Sequence, residues 1–215
     1  MCAGTMPRNK RSKVFLYNIL LRALILAVAV AASLAAYFAL SAYVIPQSYS
    51  SSEPPRPEPI LTGVSLSASE VALGQTFTIS VMVTNRGDQS DVQIVSVGFP
   101  NLTRTDGIAV LKHNFVQSPF FVQAGQEVGI GYTGFERTVK AEYPSVEATT
   151  WSWKTGSTYS IDVQVKPDVE GRFVVFVKSI ALPHSWERAH YPHEGLMDYQ
   201  QEFVQAYSVQ VTTKP

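Results

Sequence analysis

Residues 76–88 read Thr76-Phe77-Thr78-Ile79-Ser80-Val81-Met82-Val83-Thr84-Asn85-Arg86-Gly87-Asp88. Phe77, Ile79, Val81 and Val83 occupy every second position, with Thr, Ser and Met82 between them. Successive side chains of a strand point to opposite faces, so this spacing predicts a half-buried strand. Asn85-Arg86-Gly87-Asp88 then supplies turn chemistry. Downstream, Val92 and Ile94 followed by Val95, Val97 and Phe99 predict a second strand. Its phase slips between Ile94 and Val95, which predicts a bulge. Tyr159, Ile161, Val163 and Val165 alternate up to Lys166-Pro167-Asp168. Beyond Gly171, Phe173 to Ile180 is almost continuously apolar and predicts a central strand. A last strand over 203–211 puts Tyr207, Val209 and Val211 on one face. Weaker strand signals lie at 61–67, 108–116, 128–132 and 138–143. After Ile45 no stretch carries convincing helical amphipathicity. Many short strands with Gly and Pro turns predict an all-β, antiparallel sandwich over residues 60–215.

The segment before it has a different composition. Arg8, Lys10, Arg11, Lys13 and Arg22 give residues 1–22 five basic groups and no acid. Residues 23–45 then carry no charge, and a helix of that length spans roughly 34 Å against a bilayer core of about 30 Å. Tyr37 and Tyr43 lie toward its far end, where an aromatic belt would sit, and Pro46 ends it. A cleaved signal peptide has a shorter apolar region and a small-residue cleavage site. Ala39-Leu40-Ser41 is such a triplet, but Tyr43-Val44-Ile45-Pro46 is a poor site, so an uncleaved transmembrane signal anchor is expected over 23–45. The basic residues then keep 1–22 cytoplasmic and place the rest in an extracellular or periplasmic space. Residues 46–59, with five prolines and four serines, predict a semi-rigid stalk.

The chain has 215 residues with 17 Lys+Arg and 17 Asp+Glu, a net charge of zero. That balance conceals +5 over residues 1–45 and −5 over 46–215. Charged residues are 16%, below the about 25% of a typical soluble domain. No globally basic face offers itself to nucleic acid. With one Cys there is no internal disulfide framework, and no zinc site needing two thiolates.

Val64-Ser-Leu-Ser-Ala-Ser-Glu-Val-Ala-Leu-Gly-Gln-Thr-Phe77, the alternating strand ending in Thr84-Asn85-Arg86-Gly87, and Val92-Gln-Ile-Val-Ser-Val-Gly-Phe99 form a recognisable order. A leading strand, a Gly-Gln turn, a strand ending in Thr-Asn-x-Gly and a second strand resemble the first half of CARDB-type and related immunoglobulin-like domains of prokaryotic cell surfaces. Gly156-x-x-Tyr159 and Pro167-x-x-x-Gly171-x-Phe173 resemble their later hairpin. The resemblance implies an immunoglobulin-like surface sandwich used for adhesion, assembly or support, with no catalytic residues. Residues 60–215 exceed the about 100 residues of a plain domain of that kind, so extra strands or long loops are expected.

Three of the four histidines, His184, His190 and His193, fall within ten residues of a loop that also holds Trp186. Three imidazoles could bind zinc or copper and leave an open position. Glu187, Glu194 and Asp198 could then be carboxylate ligands or hydrogen-bond partners of the ligating imidazoles, and Met197 could be a soft ligand for Cu(I). The alternative is that these side chains pack the loop onto the sandwich, since spacings of six and three are not those of HExxH. Otherwise no cofactor is expected. Trp151 and Trp153, at i and i+2, would share a strand face and with Tyr143, Tyr159 and Trp186 could form an aromatic platform for a sugar or a protein. The alternative is one core aromatic and one covering a loop. Arg86-Gly87-Asp88 is a tripeptide read by some adhesion receptors, though a turn alone explains it. Asn101-Leu102-Thr103 is a glycosylation sequon. No phosphate loop, nucleophile elbow or dinucleotide fingerprint occurs. The expected function is a membrane-anchored, non-catalytic interaction, adhesion or assembly module with a protein partner or self-association. Metal binding and carbohydrate binding are the alternatives.

Overall fold

The computed structural model describes residues 9–44, 55–129, 137–184 and 190–213, with the side chains of the first helix described over 20–37. Contacts divide the chain into two units, Met1–Glu53 and Pro54–Pro215. The first holds one helix, α1 (Asn9–Val44). Within it Leu20–Tyr37 has a mean hydropathy of 2.1 and is exposed all round, long and apolar enough to cross a membrane. The helix starts at Asn9, so it includes Lys10, Arg11, Lys13 and Arg22 as well as the uncharged run, and its 36 residues span roughly 54 Å.

The second unit is a two-sheet sandwich. In chain order its strands are β1 (Pro59–Leu66), β2 (Glu70–Ala72), β3 (Phe77–Asn85), β4 (Ser90–Gly98), β5 (Ile108–His113), β6 (Phe120–Val122), β7 (Glu127–Gly129), β8 (Thr138–Lys140), β9 (Ser145–Trp153), β10 (Thr158–Val165), β11 (Gly171–Leu182), β12 (Leu196–Met197) and β13 (Phe203–Thr212). One sheet runs β1-β3-β10-β5 and the other β12-β13-β11-β4-β9-β6. The pairings are antiparallel except the short parallel match of β2 to β13. β7 and β8 form a separate hairpin. This hairpin, the long connections and residues 190–202, which include β12, account for the length beyond an ordinary sandwich.

The core follows from the alternation. Phe77, Ile79, Val81 and Val83 of β3, with Ile161, Val163 and Val165 of β10, meet Val95 and Val97 of β4 and Phe173, Val175 and Val177 of β11. Fully burying each such side chain contributes about 1.5–3 kcal/mol. At the end of β3, the buried Asn85 uses both ends of its amide. Its Oδ1 accepts from the N–H of Glu58 at 2.9 Å and of Gly87 at 3.2 Å, while its Nδ2 donates to the carbonyl oxygens of Asp88 and Trp153. Arg86-Gly87-Asp88 is thereby built into the end of the sheet, beyond an inner strand. Asp88 Oδ2 accepts from the Arg56 N–H at 2.9 Å. A Cβ on Gly87 would strike the backbone of Arg56–Glu58.

Two strand readings need correction. The expected bulge between Ile94 and Val95 is not there, because β4 keeps one unbroken register with both β11 and β9. The slip in the apolar pattern has another cause: Val95 and Val97 face the sandwich interior, while Val92 and Ile94 join Ile180 and Leu182 in a second buried cluster on the outer face. A strand buried on both sides has no single phase to read. β9, not expected as a strand from its own pattern, lies beside β4 in the larger sheet. The expected strands at 128–132 and 138–143 shorten to β7 and β8, and residues 130–136 lie outside the described residues.

Gln93 points into the core between Thr150 and Ala181 of the neighbouring strands. It is fully buried, and neither its amide nitrogen nor its oxygen has a partner among the described residues. An unmet buried amide costs about 1–3 kcal/mol. Gln93→Met, of similar length and shape, is therefore expected to stabilise the sandwich by about 1 kcal/mol. Urea unfolding checks this, and a lower midpoint would contradict it.

Candidate functional site

The outer face of the larger sheet carries the chain's charged interior. Register places Glu147 of β9, Ser96 of β4 and Lys178 of β11 side by side in one row across three strands. Alternation turns all three away from the core that Val146, Val97 and Val177 enter. All three are buried, with Asp198, Tyr199 and Gln200 lying over Ser96 and Lys178 on this face. After β11 the chain turns, and Tyr191 pairs with Ala181 through two backbone bonds of 3.1 and 3.0 Å. Leu196–Met197 then pairs with Val204 and Phe203.

Asp198 organises this return. Its side chain is fully buried and its Oδ2 accepts from Lys178 Nζ at 2.7 Å. Its Oδ1 accepts from the N–H groups of Gln200 and Glu202 at 2.9 and 3.0 Å. Lys178 Nζ also donates to Gln200 Oε1, and Gln200 Nε2 donates to the Gly129 carbonyl at 3.1 Å, tying in the β7–β8 hairpin. Glu202 Oε1 lies 2.7 Å from His190 Nδ1. Gly98 leaves room for the Tyr143 ring, which a Cβ there would strike. That ring meets Phe176 and Tyr199 edge-on, at centroid distances of 5.6 and 4.9 Å.

Burial governs the titration here. It raises the Glu147 carboxyl above its ordinary range; Lys178 opposes the rise, and the carboxylates of Asp198 and Glu202 add to it. Both Tyr143 and Tyr199 are pushed well above the usual phenol range, first by burial and then by neighbouring carboxylates. The space among Ser96, Tyr143, Lys178, Asp198, Tyr199 and Gln200 has no room for a water-sized molecule. What this arrangement does chemically is hold: a buried ammonium and a buried carboxylate clamp residues 198–202 onto the sheet, with Gln200 a second acceptor for Lys178 and two backbone N–H groups donating to Asp198.

The histidines are placed separately. His184 is buried, with Nδ1 3.7 Å from Asp91 Oδ2 at the start of β4. His190 engages Glu202, and His193 packs on the Tyr191 ring at 4.4 Å between centroids. Among the described residues no group of three or more His, Cys, Asp or Glu side chains is disposed to hold a metal ion. The other residues named with the loop fare differently: Asp198 binds Lys178, Met197 and Glu194 are exposed, and Glu187 and Trp186 lie outside the described residues. The aromatic platform is likewise dispersed. Trp153 is fully buried, donating from its indole N–H to the Ser157 carbonyl at 2.9 Å, whereas Trp151 is 59% exposed. Ser152 between them has φ +57°, a left-handed turn of the backbone that breaks the expected i, i+2 alternation. Tyr159 sits with Trp153, and Tyr143 belongs to the outer-face cluster. Asn101 is exposed, with its side chain bonded to β11.

Lys178, Glu147, Gln200 and Glu202 were missed in the sequence. Lys178 left a usable signal: a lone charge in the apolar run of a central strand must find a partner.

No protein-family model and no curated protein matches the chain. Among solved structures it is similar to a CARDB domain from Pyrococcus furiosus in complex with di-metal ions, at 11% identity over 74% of this chain and 90% of that one, with a TM-score of 0.38. It is similar to a cohesin module of a Clostridium perfringens family 33 glycoside hydrolase, at 8% identity over 73% and 96%, with a TM-score of 0.34. It is also similar to a protein from Corynebacterium diphtheriae described as membrane anchored, at 13% identity over 64% of this chain and 32% of that one, with a TM-score of 0.33. The sandwich assignment rests on the strand order and register of this chain.

Proposed function

We propose that this protein is a membrane-anchored extracytoplasmic sandwich that serves as a non-catalytic interaction or assembly module. The observation that carries the reading is the chain's organisation: an apolar helix exposed all round over Leu20–Tyr37, a Pro/Ser-rich stretch, and a sandwich whose buried charges are spent on its own packing. The basic residues before the apolar run favour a cytoplasmic N-terminus. The edge formed by β6 and β9 supports contact with a partner, because Phe120 and Trp151 stand 46% and 59% exposed on its outer face. Large exposed aromatics of this kind are enriched where proteins meet.

Cys2, the only cysteine, provides a built-in topology probe. In intact cells an impermeant maleimide is expected to leave Cys2 unlabelled and to label Val116→Cys, at a position 85% exposed in the sandwich. The reverse pattern would overturn the topology. A photo-crosslinking residue at position 151 is expected to give a defined adduct in intact cells, and one at the exposed Arg172 none. Absence of an adduct at both positions would overturn the interaction role.

A further inference from the structure

We propose that Asn101 carries an N-linked glycan and that the fold presents its amide nitrogen for it. β4 ends at Gly98 and the chain turns at once: the Leu102 N–H donates to the Phe99 carbonyl at 3.0 Å, closing a turn over Phe99-Pro100-Asn101-Leu102. β11 runs on past this point, so its Val174 N–H has no further β4 residue to meet. Asn101 supplies the acceptor in its place, its Oδ1 lying 2.6 Å from the Val174 nitrogen. A backbone N–H can only donate, so the carbonyl end of the Asn101 amide faces β11 and Nδ2 is turned away from it. Asn101 and Thr103 are both exposed while Leu102 between them is buried, which pins the sequon at the surface.

Glycosylation needs the nitrogen of an Asn-x-Thr amide, an accessible hydroxyl two residues on, and an extracytoplasmic location. The first two are on the surface of this turn, and the third rests on the topology proposed above. The donor is a lipid-linked oligosaccharide. The bond between the sugar's anomeric carbon and the lipid phosphate oxygen breaks, a bond from that carbon to Nδ2 forms, Nδ2 loses one proton, and the lipid pyrophosphate leaves. The Oδ1–Val174 bond is retained throughout, so attachment leaves the turn intact.

The test is the mass of the full chain purified from its native membrane, with fragmentation of the peptide containing Asn101. Wild type is expected to be heavier than its sequence and to release sugar ions from that peptide. Asn101→Asp keeps an acceptor for Val174 and removes the nitrogen, and Thr103→Ala removes only the hydroxyl. Both are expected to be folded and to lose the added mass. An unmodified Asn101 in wild type overturns the proposal, and the maleimide pattern then shows separately whether the topology stands.

Discussion

Lys178→Met is expected to be among the most damaging single changes in this protein, lowering stability by about 3–5 kcal/mol. The substitution keeps the bulk of the side chain but leaves the fully buried Asp198 carboxylate without its cation, and frees Gln200 Oε1. For a sandwich of this size that corresponds to a fall of roughly 10 °C in melting temperature. The double variant Lys178→Met/Asp198→Asn is expected to recover much of the loss, since it removes the stranded charge as well. A Lys178→Met protein within about 1 kcal/mol of wild type would show that the clamp is not what holds residues 198–202. The effect carries a pH signature through Glu147. Because burial raises the folded-state pKa of Glu147 above its ordinary value of 4.5, the native state holds more protons than the unfolded chain above that pH. Its contribution therefore falls as pH rises from about 4.5 through the raised value. Glu147→Gln is expected to flatten that decline and to stabilise the neutral-pH protein. Lys178 is the group opposing the shift, so the Lys178→Met deficit is expected to shrink in acid. Urea midpoints between pH 4 and 7 measure both.

Trp153→Ala is expected to cost about 3–5 kcal/mol, and Trp151→Ala under about 0.5 kcal/mol. The two residues are two positions apart on β9, yet Trp153 is fully buried, edge-on to Tyr159 at 6.4 Å and bonded to Ser157, whereas most of Trp151 is in solvent. Denaturant unfolding of the two variants provides the comparison. Similar losses would mean that Trp151 is also built into the core.

Much of the sandwich was legible because its smaller sheet and the last strand each bury one face. In β3 and β10 every second residue is apolar, so the phase is visible without knowing the neighbours. β4 and β9 misled for one physical reason. Part of their outer faces, at Ser96 and Glu147, is buried under charged and polar groups from far along the chain, and a face covered from a distance carries no local periodicity. The same distance hid the clamp. Lys178 announces a need for a counter-charge, but Asp198 and Glu147 reach it from 20 residues downstream and 31 upstream.

The division between chain and fold is therefore a division between local and distant physics. Alternation, turn residues, the basic-then-apolar N-terminus and the sequon depend on neighbours within a few positions, and the amino-acid order alone determined them. The tertiary structure alone decided that residues 198–202 are clamped over the sheet and that His184, His190 and His193 engage different partners. It alone separated two nearby tryptophans through one left-handed residue, and it alone turned the Asn101 amide outward. Each of these depends on which backbone groups meet across the sheets, and that information exists only once the strands have paired.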